Sequence, residues 1–257
     1  MHEVADNVHR AGYRLRMIQA RQLMLRYSTG KTALSGVTLS IPKGRFVYLT
    51  GESGAGKSSL LRCLYGGARP TSGQLTVQDL DMRLAQEHQV RKLRRNIGVI
   101  FQDHRLLFSR TVFENVALPL RVQGWKPERL VARARKVLEF VGLEDRLWSF
   151  PEALSGGEQQ RVAIARAMST HPPLILADEP TGNLDIGTAR RIMDYLMDLN
   201  RQGSTVVMAT HDLQLMETHP GDLLCLHAGT LAEVLQHTPP TIHDHGDGHE
   251  YATREGI

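Results

Sequence analysis

The sequence predicts an α/β fold on a largely parallel sheet, with a block of helices inserted into it. Three observations carry this. Short apolar, β-prone stretches recur at 37–41, 46–50, 75–77, 97–101, 174–177 and 205–209, and several alternate with helix-like stretches. The run LILA at 174–177 is apolar without a break, the pattern of a strand buried on both faces of a sheet. From about 104 to 170, by contrast, no convincing strand occurs and the apolar spacing is helical.

Taken in order, residues 1–14 are polar and form a flexible leader, without the apolar core of a secretory signal. The stretch 46–50 is a strand that runs into Gly51, Glu52, Ser53, Gly54, Ala55, Gly56, Lys57, Ser58 and Ser59, then into a helix-like SLLRCL. This is G-x-x-x-x-G-K-[ST] in the strand–loop–helix setting that the pattern needs. Glycines let successive N–H groups curl around phosphate oxygens at a helix N-terminus. Lys57 adds a point charge for the β/γ-phosphates, and the Ser58 hydroxyl suits a Mg²⁺ shell. Next comes a basic cluster, Arg91, Lys92, Arg94 and Arg95, either a solvated helix face or a contact for anionic headgroups or a partner.

Inside the helical block, Pro127 sits at a first helical position, Leu130, Ala134, Val137, Leu138 and Val141 recur at helical spacing, and Gly142 supplies the stop. The exposed-loop segment before it holds an apolar group, Leu106, Leu107 and Phe108, that marks an interface or packs on the block itself. Ser155 and Glu158 form an S-x-x-E capping box ahead of VAIARAM. The box leaves Gly156 and Gly157 unexplained, since each costs about 1 kcal/mol relative to alanine in a helix. A glycine-opened helix N-terminus is an anion site, yet the chain already owns one phosphate cradle.

The strand at 174–177 ends in Asp178 and Glu179. Ligands of open α/β sheets sit beyond the carboxyl ends of the strands, so both acids face the nucleotide side. Asp178 suits Mg²⁺ and Glu179 the polarisation of an attacking water; two acids merely capping a turn are the alternative. The end of the chain, 238–257, is a disordered His/Asp-rich tail whose His243, His245 and His249 offer metal affinity.

Composition narrows the class. At 257 residues, 41% hydrophobic and 23% charged, the chain is an ordinary globular one and not collagen-like, coiled-coil or wholly disordered. No apolar run approaches the roughly 18–20 residues that span a bilayer. Two cysteines exclude a disulfide scaffold and fit a cytosolic chain with reduced thiols. A net charge of +4, without one dense basic stripe, argues against nucleic acid.

Together these motifs resemble the ABC-type ATPase cassette over about 15–235. Residues 51–58 match Walker A, Gln102 in IFQD the Q-loop, LSGGEQ at 154–159 the signature, 174–179 Walker B, GNLD at 182–185 the D-loop, and His211 in MATHD the switch histidine. The resemblance implies a P-loop NTPase fold with a mainly parallel core sheet, an antiparallel β subdomain and the helical subdomain at 104–170, all one domain over 15–237. It implies ATP and Mg²⁺ as ligands. Glu179, His211, Lys57 and Gln102 are the catalytic group, and Ser58, Gln102 and Asp178 lie about the metal. Tyr27 stacks on adenine, and residues 51–59 hold the phosphates. Ser155, Gly156, Gly157, Glu158 and Asp185 complete the site of a partner in an ATP-dependent head-to-tail homodimer.

Within the family the chain is most similar to the cell-division branch, the FtsE-type ATPases, through 101–120, 153–168, 177–185 and 208–212, with Asp103-His104 directly after Gln102. That branch implies an FtsX-like integral membrane partner, peripheral association with the cytoplasmic face of the cell inner membrane, and control of cell-wall hydrolysis. ATPases of lipoprotein-release and macrolide-type exporters share ADEPTGNLD and are the alternative. The leader, the tail and Leu23-Met24-Leu25 depart from the usual pattern.

Overall fold

The computed structural model describes residues 16–235 except Asn183, so the leader and the His-rich tail lie outside the described residues. The elements in chain order are β1 (Arg16–Arg26), β2 (Thr32–Pro42), β3 (Phe46–Thr50), α1 (Lys57–Leu64), β4 (Ser72–Val77), β5 (Leu80–Asp81), α2 (Glu87–Arg94) and β6 (Ile97–Ile100). There follow α3 (Val112–Val122), α4 (Pro127–Phe140), α5 (Gly156–Met168), β7 (Leu174–Asp178), α6 (Ile186–Arg201), β8 (Thr205–Ala209), α7 (Leu213–Thr218), β9 (Asp222–His227) and β10 (Thr230–Leu235).

Among the described residues the strands form two sheets. A six-stranded sheet runs β10-β9-β3-β8-β7-β6, parallel except where β10 meets β9. A four-stranded sheet runs β2-β1-β4-β5 and is antiparallel throughout. The apolar stretches at 37–41 and 75–77 therefore belong to a second sheet rather than to the parallel one. Their short, alternating burial is that of strands with one wet face, unlike the unbroken burial of β7 and β8.

Strand β1 has no clear sequence signal, because its alternation breaks at Gln22, which adopts φ 48 where the pairing shifts register between Ala20 and Leu23. Past this bulge the alternation resumes: Leu23 and Leu25 are buried and Met24 points out. The unusual Leu23-Met24-Leu25 is thus a half-buried strand.

The helical block holds α3, α4 and α5. Pro127 opens α4, Leu130, Ala134, Val137 and Leu138 form its buried stripe, and Gly142 ends the turn at φ 66. One apolar cluster joins these helices to β7, β8 and α6; a second fills the space between the two sheets and α1. Four parallel strands, β3, β6, β7 and β8, end on the same edge, and their next residues carry the motifs.

Candidate ATPase site

Beyond β3 the chain turns through 51–56 into α1. Gly51 has φ 133 and a Cβ there would lie 2.0 Å from the Leu226 carbonyl oxygen, while Gly56 has φ 108 and would bring a Cβ within 2.6 Å of the Ala33 carbonyl oxygen. Both glycines are fixed by conformation and by backbone packed against the loop from β9 and β2. Gly56 is the N-cap of α1 and gives it no side-chain cap, so the first N–H groups of the helix stay open for an anion. The Lys57 ammonium curls back over the loop and donates to the carbonyls of Gly51 at 2.7 Å and Glu52 at 3.1 Å.

A cavity of about 580 Å³ opens above this loop. Tyr27, Gly51, Glu52, Ser53, Gly54, Gly56, Lys57, Ser58, Ser59, Gln102, Asp178, Glu179 and His211 all line it. Ala55 does not: it is buried beneath the loop, its carbonyl accepting from the Gly229 N–H at 3.0 Å. Lys31 and Ala33 line the cavity as well, and the sequence offered no sign of them beyond their nearness to Tyr27. The Tyr27 hydroxyl lies 3.1 Å from the Ser59 hydroxyl, which fixes its ring at the rim.

The two acids at the end of β7 differ in setting. Burial raises the Asp178 carboxyl above the ordinary range; the Ser58 hydroxyl bonded to it pulls the other way, the charge of Glu179 adds to the rise, and Lys57 opposes it. A carboxylate next to a serine hydroxyl, in one cavity with the amide of Gln102, is an all-oxygen donor set that fits Mg²⁺. Glu179 takes the left-handed conformation at φ 48, costing of order 1–3 kcal/mol, and its N–H is held by the Ala209 carbonyl at 3.0 Å. His211 follows β8 and places Nδ1 3.0 Å from Glu179 Oε2.

A family model described as ABC transporter matches residues 34–182, more than half of the chain. The chain belongs to the ABC ATPase family. Cell division ATP-binding protein FtsE of Escherichia coli (strain K12) is 45% identical over 215 residues, 84% of this chain and 97% of that protein. FtsE of Bacillus subtilis (strain 168) is 42% identical over 215 residues, covering 84% and 94%. FtsE of Mycobacterium tuberculosis (strain ATCC 25618 / H37Rv) is 47% identical over 191 residues, covering 74% and 83%. Among solved structures, a dimeric post-hydrolysis state of the ATP-binding cassette MJ0796 bound to ADP and Pi superposes with a TM-score of 0.81 at 35% identity, over 86% of this chain and 98% of that one. As an ABC ATPase the chain binds and hydrolyses ATP.

The remaining motif residues lie elsewhere. Ser155 caps α5: its hydroxyl accepts from the Glu158 N–H at 3.3 Å, and its own N–H donates to Glu158 Oε2 at 2.8 Å. Arg146 lies 3.5 Å from that carboxylate, and the Ser155 bonds hold it below the usual range. Gly156 is exposed and, among the described residues, a Cβ on it would meet nothing within 4 Å. Gly157 would meet Leu184 at 3.4 Å, ordinary contact. The expected close approach to these glycines is therefore not made by the described residues. Asp185, likewise outside the cavity, caps α6 by accepting from the Thr188 N–H at 2.9 Å.

The group at 106–108 divides. Leu106 is buried, while Leu107 and Phe108 are 42% and 50% exposed. Leu107 lines a groove of about 660 Å³ with Tyr65, Phe101, Leu118 and Val122 on its floor. Arg91, Arg94 and Arg95 of the basic cluster stand round it with Arg105 and Arg166, while Lys92 does not line it, and all four cluster residues are exposed. Arg94 is anchored there by the carbonyls of Tyr65 at 3.0 Å and Gly66 at 2.8 Å. Both cysteines are free, Cys63 buried and Cys225 half-buried. Among the described residues no helix is long and apolar enough to cross a membrane.

Proposed function

We propose that this chain is the ATP-hydrolysing subunit of an FtsEX-type complex in cell division. An FtsX-like integral membrane protein holds it at the cytoplasmic face of the cell inner membrane and passes ATP turnover on to the control of cell-wall hydrolysis. The one observation that carries the mechanism is a division of labour. Lys57, Asp178, Glu179, His211 and Gln102 share one cavity, whereas the Ser155 cap stands outside it with Gly156 exposed. One chain thus owns a cradle and a second phosphate-facing helix end that its own cradle does not use.

A head-to-tail pair resolves this. Each Ser155–Gly156–Gly157 end meets the nucleotide held by the other chain, with Glu158 bracing the cap and Asp185 on the same face. The dimeric form of the MJ0796 neighbour supports such pairing. Within each site Tyr27 bears on the base, residues 51–59 and the α1 N-terminus cradle the phosphates, and Lys57 supplies the counter-charge. Ser58, Asp178 and Gln102 would hold Mg²⁺, which when bound neutralises phosphate charge. Glu179 takes the proton of the attacking water, and His211, set against Glu179, steadies that carboxylate and the departing phosphate.

The arginine-rimmed groove is the docking place for a short cytoplasmic helix of the membrane partner. Its apolar floor accepts leucine-like side chains, and Arg91, Arg94 and Arg95 along it select carboxylates. Leu107→Asp should lower recovery of the chain with solubilised membranes more than tenfold, since a buried charge at an apolar contact costs about 2–4 kcal/mol and repels an acidic helix. ATP binding by the purified variant should be unchanged. Full membrane recovery of a folded Leu107→Asp chain would place the partner elsewhere.

A further inference from the structure

The loop that carries Gln102 is the wall between the nucleotide cavity and the arginine-rimmed groove: Gln102 lines the first, and Phe101 and Arg105 line the second. It is an awkward piece of backbone. His104 at φ 56 and Arg105 at φ 49 are consecutive left-handed residues without glycine, a conformation rarely kept without outside support.

The support comes from one side chain. Arg166, in the last turn of α5, donates from Nη1 to the Arg105 carbonyl at 2.6 Å and from Nη2 to the His104 carbonyl at 2.7 Å. The planar fork presents two parallel N–H donors that match the two adjacent carbonyls. Burial pulls the Arg166 guanidinium below its usual pKa, and no carboxylate opposes that shift. Its interactions are spent on the loop. Arg105 in turn covers the Phe101 ring, its guanidinium carbon 4.2 Å from the centroid, and reaches back to Asp103 at 3.1 Å, so the five residues 101–105 form one braced unit.

The same helix begins at the Ser155 cap. A second arm, Gln160, donates to the Pro180 carbonyl at 2.7 Å, one residue past Glu179. Helix α5 is therefore a strut with its exposed end at the cap, fastened beside Glu179 by Gln160 in its second turn and beside Gln102 by Arg166 in its last.

We propose that Arg166 is a positioning residue of the ATPase: it fixes Gln102 through the His104 and Arg105 carbonyls and ties that setting to whatever meets the Ser155 cap on a second copy. This deepens the proposed function and rests on Gln102 acting in the nucleotide site.

Arg166→Met keeps the apolar stem and removes both donors. In the full chain its kcat should fall about tenfold while its KM for ATP stays within about threefold, the split expected when ground-state binding is spared. Arg166→Lys, which keeps a cation with N–H donors but loses the rigid fork, should fall between the two. Gln102→Ala should also be slow, and the double variant Gln102→Ala/Arg166→Met should be no slower than Gln102→Ala alone, because both changes remove one function. Multiplied losses in the double variant, or near-normal kcat in folded Arg166→Met, would overturn the proposal. If Arg166→Met does not fold, the same cycle run with Arg166→Lys decides by the same rule. Normal turnover in Gln102→Ala would remove the role of Gln102 itself and the clamp with it.

Discussion

Glu179→Gln should keep ATP bound while its hydrolysis falls at least about 100-fold, the lower end of what a positioned general base contributes. Glu179 is held for the task. Its left-handed backbone is pinned to Ala209 and its carboxylate touches His211 at 3.0 Å, so the oxygen that accepts a proton has little freedom to wander. Glutamine fits the same space and can still accept a bond from His211, but it cannot take up a proton. ATP should then persist in the site and hold two chains together. Turnover assays and size-exclusion runs with MgATP measure both consequences. A near-normal rate would assign the base to another group, and a slow enzyme that stays monomeric with ATP would detach hydrolysis from pairing.

Lys57→Ala should lower ATP affinity about 100-fold, because a charge-assisted hydrogen bond to a phosphate is worth roughly 1.5–3 kcal/mol and Lys57 is the cation carried by the loop itself. The folded chain should survive. Among the described residues the Lys57 ammonium bonds to the Gly51 and Glu52 carbonyls at the cavity wall, where water can replace it. Titration with a fluorescent ATP analogue, beside a thermal melt, separates lost binding from lost fold. Unchanged affinity would refute the cradle at 51–58.

These two residues were legible in the sequence because their chemistry needs them at fixed spacing next to a strand. The same holds for the Ser155–Glu158 capping box and for α4, whose Pro127 and Gly142 bracket a single buried stripe. What the sequence hid was arrangement. Strand β1 was hidden by the bulge at Gln22, and β9 and β10 by their place after the last motif, where no chemistry drew attention to Asp222–His227. Ala55 stands inside the phosphate motif and yet faces the core, since a curled loop turns some residues away from its ligand. Arg166 lies in a plain helical stretch, VAIARAM, and its partners are carbonyls 61 and 62 residues away. Backbone acceptors carry no sequence signal, so only the fold exposes that contact. Leu106 and Leu107, adjacent and alike, were separated only by the side of the loop each one faces.

Composite sites are the centre of this account, and mixing two crippled chains tests them most directly. Ser155→Arg puts bulk and charge at the exposed end of α5 and leaves the 51–58 cradle untouched; the lost cap should cost only about 1 kcal/mol. Alone it should bind ATP normally and hardly hydrolyse it, and Lys57→Ala alone should do neither. In a mixed dimer the intact cradle of the Ser155→Arg chain meets the intact cap of the Lys57→Ala chain, rebuilding one site of two. With random pairing, an equimolar mixture should recover up to roughly a quarter of the parent rate. Wild-type hydrolysis by Ser155→Arg on its own would contradict the account and leave Ser155 as nothing more than the cap of its own helix.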